Sequence, residues 1–380
     1  MTQSEYTGFG SINNLPVLLQ GHGVRRVLLV TGKRSFSESS AERIILPLMG
    51  SFEVRHYDQI TSNPDLASVI RGIESYDACS PDAVVAVGGG SVIDTAKMLH
   101  FFGTNGIHPE TWLKQKQQMS TRKTCLFVAV PTTAGSGSEA TPFAVLYING
   151  VKHSIEHASI LPDICIVDPV FSSTAPPYLT AVSGFDALAQ AVESLWSTRS
   201  TIESMGYARK ALERIVPNLV AAVREGSPDA RLAMAEGAHL AGKAIAISRT
   251  TAPHAVSYPI TARFGIPHGH AVGILLPSFL EYNAGVSDTD LQDLRGCKFV
   301  TCRLREISAL IGATSTASAA AQLRFMASAI GLELRLSQFG IKSAREVDLI
   351  VAEGFAPERV KNNPRVLTED KLREMLQALL

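Results

Sequence analysis

The chain has 380 residues, 46% hydrophobic and 18% charged, which supplies apolar surface for one large or two ordinary cores and excludes a disordered or fibrous protein. Its 35 Lys+Arg balance 35 Asp+Glu, which excludes a global electrostatic pull toward nucleic acid or an anionic membrane. No run approaches the roughly 20 apolar residues of a membrane span, MTQSEYTGFGS lacks an export signal, and the five cysteines form no CxxC, so a cytoplasmic protein is expected.

The first half alternates short apolar runs with amphipathic stretches. Residues 26–31 (RVLLVT) read as a buried strand, 39–49 as a helix, 52–58 as a second strand and 65–78 as a helix. A third strand, 82–87, runs into Gly88-Gly89-Gly90, and a helix is expected to start at Ser91, whose hydroxyl can cap it, with Asp94 completing a near-match to a capping box. A further apolar run at 125–131 ends in a second small-residue loop, PTTAGSGSEAT. Continuous apolar strands alternating with helices predict a parallel sheet covered on both faces. The Pro- and Ser-rich stretch 168–179 reads as a joint. Beyond it helical periodicity dominates, over 183–197, 202–225, 229–248, 304–312 and 315–331. The expected fold class is α/β plus all-α: an N-terminal Rossmann-like parallel-sheet dinucleotide domain over 1–179 and a C-terminal helical domain over 180–380, with a ligand cleft between them.

Two loops offer what a dinucleotide needs. Gly88, Gly89, Gly90 and Ser91 let a pyrophosphate approach the main chain at a helix N-terminus, with Asp94 in the first turn. The second loop presents Thr132, Thr133, Ser136 and Ser138 at the end of a parallel strand, where ligands bind in open α/β sheets. After the first strand, where an acidic residue would bind the adenosine ribose, the chain has Gly32, Lys33, Arg34 and Ser35. Two cations and a hydroxyl suit a 2′-phosphate and point to NADPH over NADH. In the helical half Asp186 and Gln190 stand four apart on one predicted helix face, and His254 and His268 are fourteen apart. Carboxylate and imidazole donors suit Fe²⁺ or Zn²⁺.

The runs GGGSVIDTAK (88–97), PTTAGSGSEAT (131–141), LPDICIVDP (161–169), GFDALAQAVES (184–194), IPHGHAVGILLP (266–277) and NNPR (362–365) together resemble the iron-containing, metal-dependent alcohol dehydrogenases. The resemblance implies the dehydroquinate synthase-like pairing of a dinucleotide domain with a helical metal domain, NAD(P)-linked interconversion of aldehydes and alcohols, and a homodimer or larger homo-oligomer. It places the family's metal aspartate on Asp186 and two histidine ligands on His254 and His268. This chain departs at two positions: Gln190 stands where most members have a histidine ligand, and Tyr258 where many have a second histidine of the proton relay. The stretches ALAQAVESLWS and LAGKAIAISRTTAPHAVSYPIT resemble the branch that reduces phosphonoacetaldehyde, a small anionic aldehyde. Lys243, Arg249 and Thr250, just before His254, are the expected phosphonate-binding residues. His270 and Tyr258 are the candidates for delivering the alkoxide proton. A general short-chain aldehyde reductase, a dehydroquinate-synthase-like lyase and a non-catalytic nucleotide-binding protein are the rival readings.

Overall fold

Among the described residues of the N-terminal half, eight strands form: β1 (Ser4–Thr7), β2 (Arg26–Thr31), β3 (Glu53–Tyr57), β4 (Ala83–Gly88), β5 (Leu126–Pro131), β6 (Phe143–Ile148), β7 (Val151–Glu156) and β8 (Ile164–Val167). They come from a computed structural model that describes residues 3–61, 64–115, 124–148, 151–355 and 360–380. The chain divides into two units, Met1–Ala175 and Pro176–Leu380, with the division inside the Pro- and Ser-rich stretch.

In the first unit six strands pair in parallel in the order β1-β8-β5-β4-β2-β3, and β6 and β7 form a separate antiparallel hairpin. Alternate residues of the central strands enter different cores. Leu28, Val30, Val84, Ala86, Phe127 and Ala129 pack under α4 (Leu66–Cys79) and α5 (Gly90–Asn105). Val27, Leu29, Val85, Val87, Val128 and Val130 pack under α1 (Leu15–Gly21), α2 (Lys33–Glu38) and α3 (Ala41–Leu48) on the opposite face. Burial on both faces is why these strands read as unbroken apolar runs. Because β2 has β3 on one side and β4 on the other, the order of strand addition reverses there. The carboxyl ends of β2 and β4 therefore flank the switch point at which such sheets take ligands.

Three local expectations change. The helix expected at 39–49 is α3 preceded by the short α2, so the basic turn is helical from Lys33. Helix α5 begins at Gly90 with Gly89 as its N-cap and no side-chain cap, so the hydroxyl of Ser91 does not cap it. Strands β1, β8 and the β6–β7 hairpin were not among the sequence-derived strands.

The second unit is helical: α7 (Pro177–Trp196), α8 (Ile202–Arg224), α9 (Pro228–Ser248), α10 (Ala252–Phe264), α11 (His268–Ala284), α12 (Cys297–Leu310), α13 (Thr316–Ala329), α14 (Ala344–Gly354) and α15 (Glu369–Gln377), after α6 (Pro109–Gln115) of the first unit. Among its described residues there is no strand, only one isolated bridge between Leu291 and Arg365. Helices α7, α8 and α9 pack on one another, and α11 packs on α7 and α10. The start of α11 comes so close to α7 that a Cβ on Gly269 would lie 2.2 Å from the Val182 carbonyl oxygen and 2.8 Å from Asp186 Cβ. Glycine at 269 therefore brings the first turn of α11 against Asp186. Asn362, of the NNPR run, donates to the Thr250 carbonyl oxygen (3.2 Å), and Thr198 N–H donates to the Asn362 carbonyl oxygen (2.9 Å). This run serves as a clamp on the segment between α9 and α10.

Candidate functional site

Helix α7 carries Asp186, Gln190 and Glu193 at spacings of four and three, so all three side chains share one face. All are buried, in a helix whose apolar residues are buried nearly all round. Asp186, from α7, His254, near the start of α10, and His268, the first residue of α11, present ligand-type atoms that all lie within 4.8 Å of one another. His254 and His268 rings meet edge-on at 5.3 Å.

Each histidine is held by its Nδ1. The Nδ1–H of His254 donates to Glu193 Oε1. The other oxygen of Glu193 accepts from the Thr251 N–H (2.6 Å) and hydroxyl (2.8 Å), and Trp196 Nε1–H donates to that hydroxyl at 2.8 Å. The Ser257 hydroxyl gives its proton to the His254 carbonyl oxygen (2.8 Å), so at 3.2 Å from His268 it accepts from Nδ1–H. With Nδ1 engaged in each ring, Nε2 is the nitrogen that would ligate a cation, giving up its proton where the ring is charged. His254 Nε2 is buried, has no hydrogen-bond partner among the described residues, and stands 3.3 Å from Asp186 Oδ1. Burial alone would lower the His254 pKa, but Glu193 and Asp186 outweigh it and push it up to about 10. A buried cluster with this demand for positive charge, and with two imidazoles turned outward by their Nδ1 bonds, fits a divalent cation. Gln190 lies one turn along α7 from Asp186 and is 3% exposed.

Tyr258 stacks on His268, with ring centroids 5.5 Å apart and planes at 9°. His270 departs from expectation. Side chains two apart on a helix point about 200° apart, and so His270 turns away from the direction of His268. It accepts from the Tyr178 hydroxyl (3.0 Å), donates to the Glu333 carbonyl oxygen (2.7 Å) and meets Phe339 edge-on. Burial lowers its pKa, so it stays neutral, with both nitrogens committed to packing.

The residues proposed to hold an anion separate as well. Lys243 is drawn to α8, its Nζ 4.6 Å from the centre of the Tyr207 ring, which makes it a helix-packing cation. Arg249 follows the end of α9 at φ 62°, ψ 167°, a conformation that residues with side chains rarely adopt. The chain is pinned on both sides of it. Ser197 donates to the Ser248 carbonyl oxygen (2.7 Å), Arg249 N–H donates to Ile245 (3.0 Å), Asn362 holds the Thr250 carbonyl, and Glu193 holds Thr251.

In the first unit the two small-residue loops meet. A Cβ on Gly89 would lie 3.3 Å from Thr133 Oγ1, and one on Gly90 would lie 2.9 Å from Ser136 Oγ; Thr132 N–H donates to the Gly88 carbonyl oxygen at 3.0 Å. Gly89, Gly90, Ser91, Thr132, Thr133 and Ser136 all keep partial exposure at the ends of β4 and β5. Ser138 is buried and Asp94 partly exposed. Asp94 accepts from Ser138 Oγ (2.5 Å) and Val145 N–H (2.9 Å), and the wholly buried Lys97 donates to Ser138 (3.0 Å), Thr141 (3.0 Å) and the Phe143 carbonyl oxygen (2.7 Å). Asp94 and Ser138, both expected at the dinucleotide, also brace the loop that would hold it. Gly32, Lys33, Arg34 and Ser35 stand at the end of β2, the last three exposed.

Two parts of this arrangement were not among the sequence-derived candidates, Glu193 and Lys97. Glu193 was detectable, since it continues the Asp186–Gln190 face by one further turn. Nothing in the sequence marks Lys97 as buried.

A buried carboxylate–imidazole cluster in one unit and glycine loops at parallel strand ends in the other belong to a metal-dependent oxidoreductase working with a nicotinamide dinucleotide. The family model for iron-containing alcohol dehydrogenases matches residues 3–169, and that for the C-terminal part of the Fe-containing alcohol dehydrogenase family matches 180–380. The chain belongs to this family. It is 34% identical over 333 residues to the phosphonoacetaldehyde reductase of Streptomyces viridochromogenes, covering 84% of this chain and 81% of that one. It is 31% identical over 332 residues to 1-propanol dehydrogenase PduQ of Salmonella typhimurium, covering 85% of each. Among solved structures, sulfoacetaldehyde reductase from Bifidobacterium kashiwanohense, in complex with NAD+, superposes with a TM-score of 0.89 at 26% identity over 99% of this chain and 96% of that one. A 1,3-propanediol oxidoreductase superposes with a TM-score of 0.88 at 28% identity, over 99% and 98%. Among the described residues no helix is long and apolar enough to cross a membrane.

Proposed function

We propose that this enzyme reduces phosphonoacetaldehyde to 2-hydroxyethylphosphonate with NADPH and a bound Fe²⁺ or Zn²⁺. The observation that carries the metal-dependent chemistry is the Asp186–His254–His268 cluster with His254 fixed through Nδ1 by Glu193. Asp186, His254 and His268 would hold the cation, with the neutral carbonyl of Gln190 as a weaker fourth donor. When bound, the metal supplies Lewis acidity toward a carbonyl oxygen. The chain's own part is to orient and to exclude water. Glu193 and Ser257 fix the two imidazoles, and Tyr258, stacked on His268, is the residue left to relay a proton once His270 is assigned to packing. The Gly89–Ser91 and Thr132–Ser136 loops would take the dinucleotide's pyrophosphate on backbone N–H groups and hydroxyls. Lys33, Arg34 and Ser35 would take a 2′-phosphate.

An anionic two-carbon aldehyde is favoured by the 34% identity to a phosphonoacetaldehyde reductase, and by the likeness to a reductase of the related sulfonate aldehyde. Arg249 and Thr250 are the residues proposed to meet its charge. The five free thiols suit a reducing cytoplasm, and a homo-oligomer is the proposed assembly. A panel of phosphonoacetaldehyde, propanal and butanal, each with NADPH and with NADH, tests the reading. The highest kcat/KM is expected for phosphonoacetaldehyde with NADPH. Equal or better turnover of the uncharged aldehydes favours the second reading, a general short-chain aldehyde reductase, which the likeness to 1-propanol dehydrogenase supports.

A further inference from the structure

At the far edge of the parallel sheet, β3 carries an imidazole that neither the metal cluster nor the glycine loops use. His56 lies on the sheet face covered by α2, one residue before the end of β3 and opposite Leu29 of β2 in the parallel register. Its Nε2 is 2.7 Å from the hydroxyl of Thr31, the last residue of β2, and Thr31 is wholly buried. Its ring rests 5.5 Å from that of Phe36, which is buried in the core beneath α2. These two contacts fix the ring beside the turn that presents Lys33, Arg34 and Ser35, and all three of these residues, like His56, are exposed. The position is one strand outward from the switch point between β2 and β4, on the side away from the glycine loops. In open α/β sheets ligands bind outside the carboxyl ends of the strands, and a cationic residue near the ribose accommodates a 2′-phosphate.

Resting on the NADPH preference proposed above, we infer that His56 is a specificity-determining residue that donates to the 2′-phosphate of the cofactor, with Thr31 as the residue that positions its ring. The Thr31 hydroxyl engages Nε2, which leaves Nδ1 for a phosphate oxygen. An imidazole held this way adds a directional donor to the two flexible cations of the turn, and a hydrogen bond to an anion is stronger than one between neutral groups. Phe36 and Thr31 hold the ring before the ligand arrives, so little side-chain freedom is lost on binding.

Calorimetric titration with adenosine 2′,5′-bisphosphate and with AMP, which differ only in the 2′-phosphate, measures its contribution without metal, nicotinamide or turnover. The wild-type chain is expected to bind the bisphosphate more tightly than AMP. His56→Ala is expected to reduce that affinity ratio by about tenfold, and Thr31→Val, which keeps the imidazole but frees it, by a smaller factor. His56→Gln, which can still bond to Thr31, is expected to keep the melting temperature while lowering the ratio. A wild-type chain that does not distinguish the two ligands overturns the NADPH reading. A wild-type preference that survives unchanged in His56→Ala and His56→Gln, yet falls in Lys33→Ala, overturns the role of His56 and leaves that reading standing.

Discussion

Glu193 holds His254 from the side opposite Asp186: its Oε1 accepts the Nδ1 proton, while Nε2 of the same ring stands 3.3 Å from Asp186 Oδ1. The other oxygen of Glu193 is committed to Thr251, so the carboxylate ties the α9–α10 connection to the His254 ring. Removing its charge while keeping its shape should weaken metal binding by about 10- to 100-fold. Chelator competition on Glu193→Gln reads this directly. An unchanged metal affinity means that Glu193 only packs.

Gln190 lies one turn along α7 from Asp186, and its neutral carbonyl is the proposed fourth donor. Gln190→His should tighten metal binding by about tenfold, about 1.4 kcal/mol, and slow metal loss on dialysis against a chelator. If the substitution leaves the dissociation rate as it was, the side chain at 190 does not reach the cation.

Arg249 is held at φ 62°, ψ 167° by bonds on both sides of it. Such a conformation costs a residue with a side chain about 1–3 kcal/mol, a cost that glycine escapes. Arg249→Gly should therefore raise the unfolding free energy by an amount in that range while lowering the ratio of kcat/KM for phosphonoacetaldehyde over propanal. A variant that is less stable than wild type by urea denaturation contradicts the strain; one with an undiminished ratio contradicts the role in substrate charge recognition.

Lys97 is wholly buried, and burial lowers its pKa to about 8 from the usual 10.5, against the opposing pull of Asp94 and Glu139. Between those two values the folded chain has lost a proton that the unfolded chain keeps. Unfolding then takes up a proton, and the contribution of Lys97 to stability rises with pH across that window. The difference in unfolding free energy between wild type and Lys97→Met should be flat below pH 8 and should shift toward wild type from pH 8 to 10.5. A difference that stays constant, or moves the other way, contradicts the buried ammonium.

The sequence made the sheet centre and the ligand helix easy to read, for physical reasons that fail elsewhere. β2, β4 and β5 are buried on both faces, so each is an unbroken apolar run. β1 (SEYT) is mostly exposed and carries no such pattern, and the β6–β7 hairpin alternates burial in a stretch that also reads as loop. Asp186 and Gln190 were visible from helical spacing. Glu193 continues that face by one further turn, so spacing places it beside the two, but spacing alone does not say that it orients a ring rather than meets solvent. The HGH run at 268–270 drew attention to both histidines, whereas the helix that begins at His268 sends the second toward Tyr178 and Phe339. Asp94 and Ser138 stand out by their place in the two loops, whereas the buried Lys97 that bonds to Ser138 carries no sequence mark of its burial.

The central claim, that Asp186, His254 and His268 hold a catalytic divalent metal, is tested most directly by elemental analysis of the purified wild-type chain beside His268→Ala. About one Fe or Zn per chain is expected in the wild type, with the metal and the NADPH-dependent reduction of phosphonoacetaldehyde both lost from the variant. Retention of metal by His268→Ala, or full reductase activity in a wild-type chain stripped of metal, would contradict it.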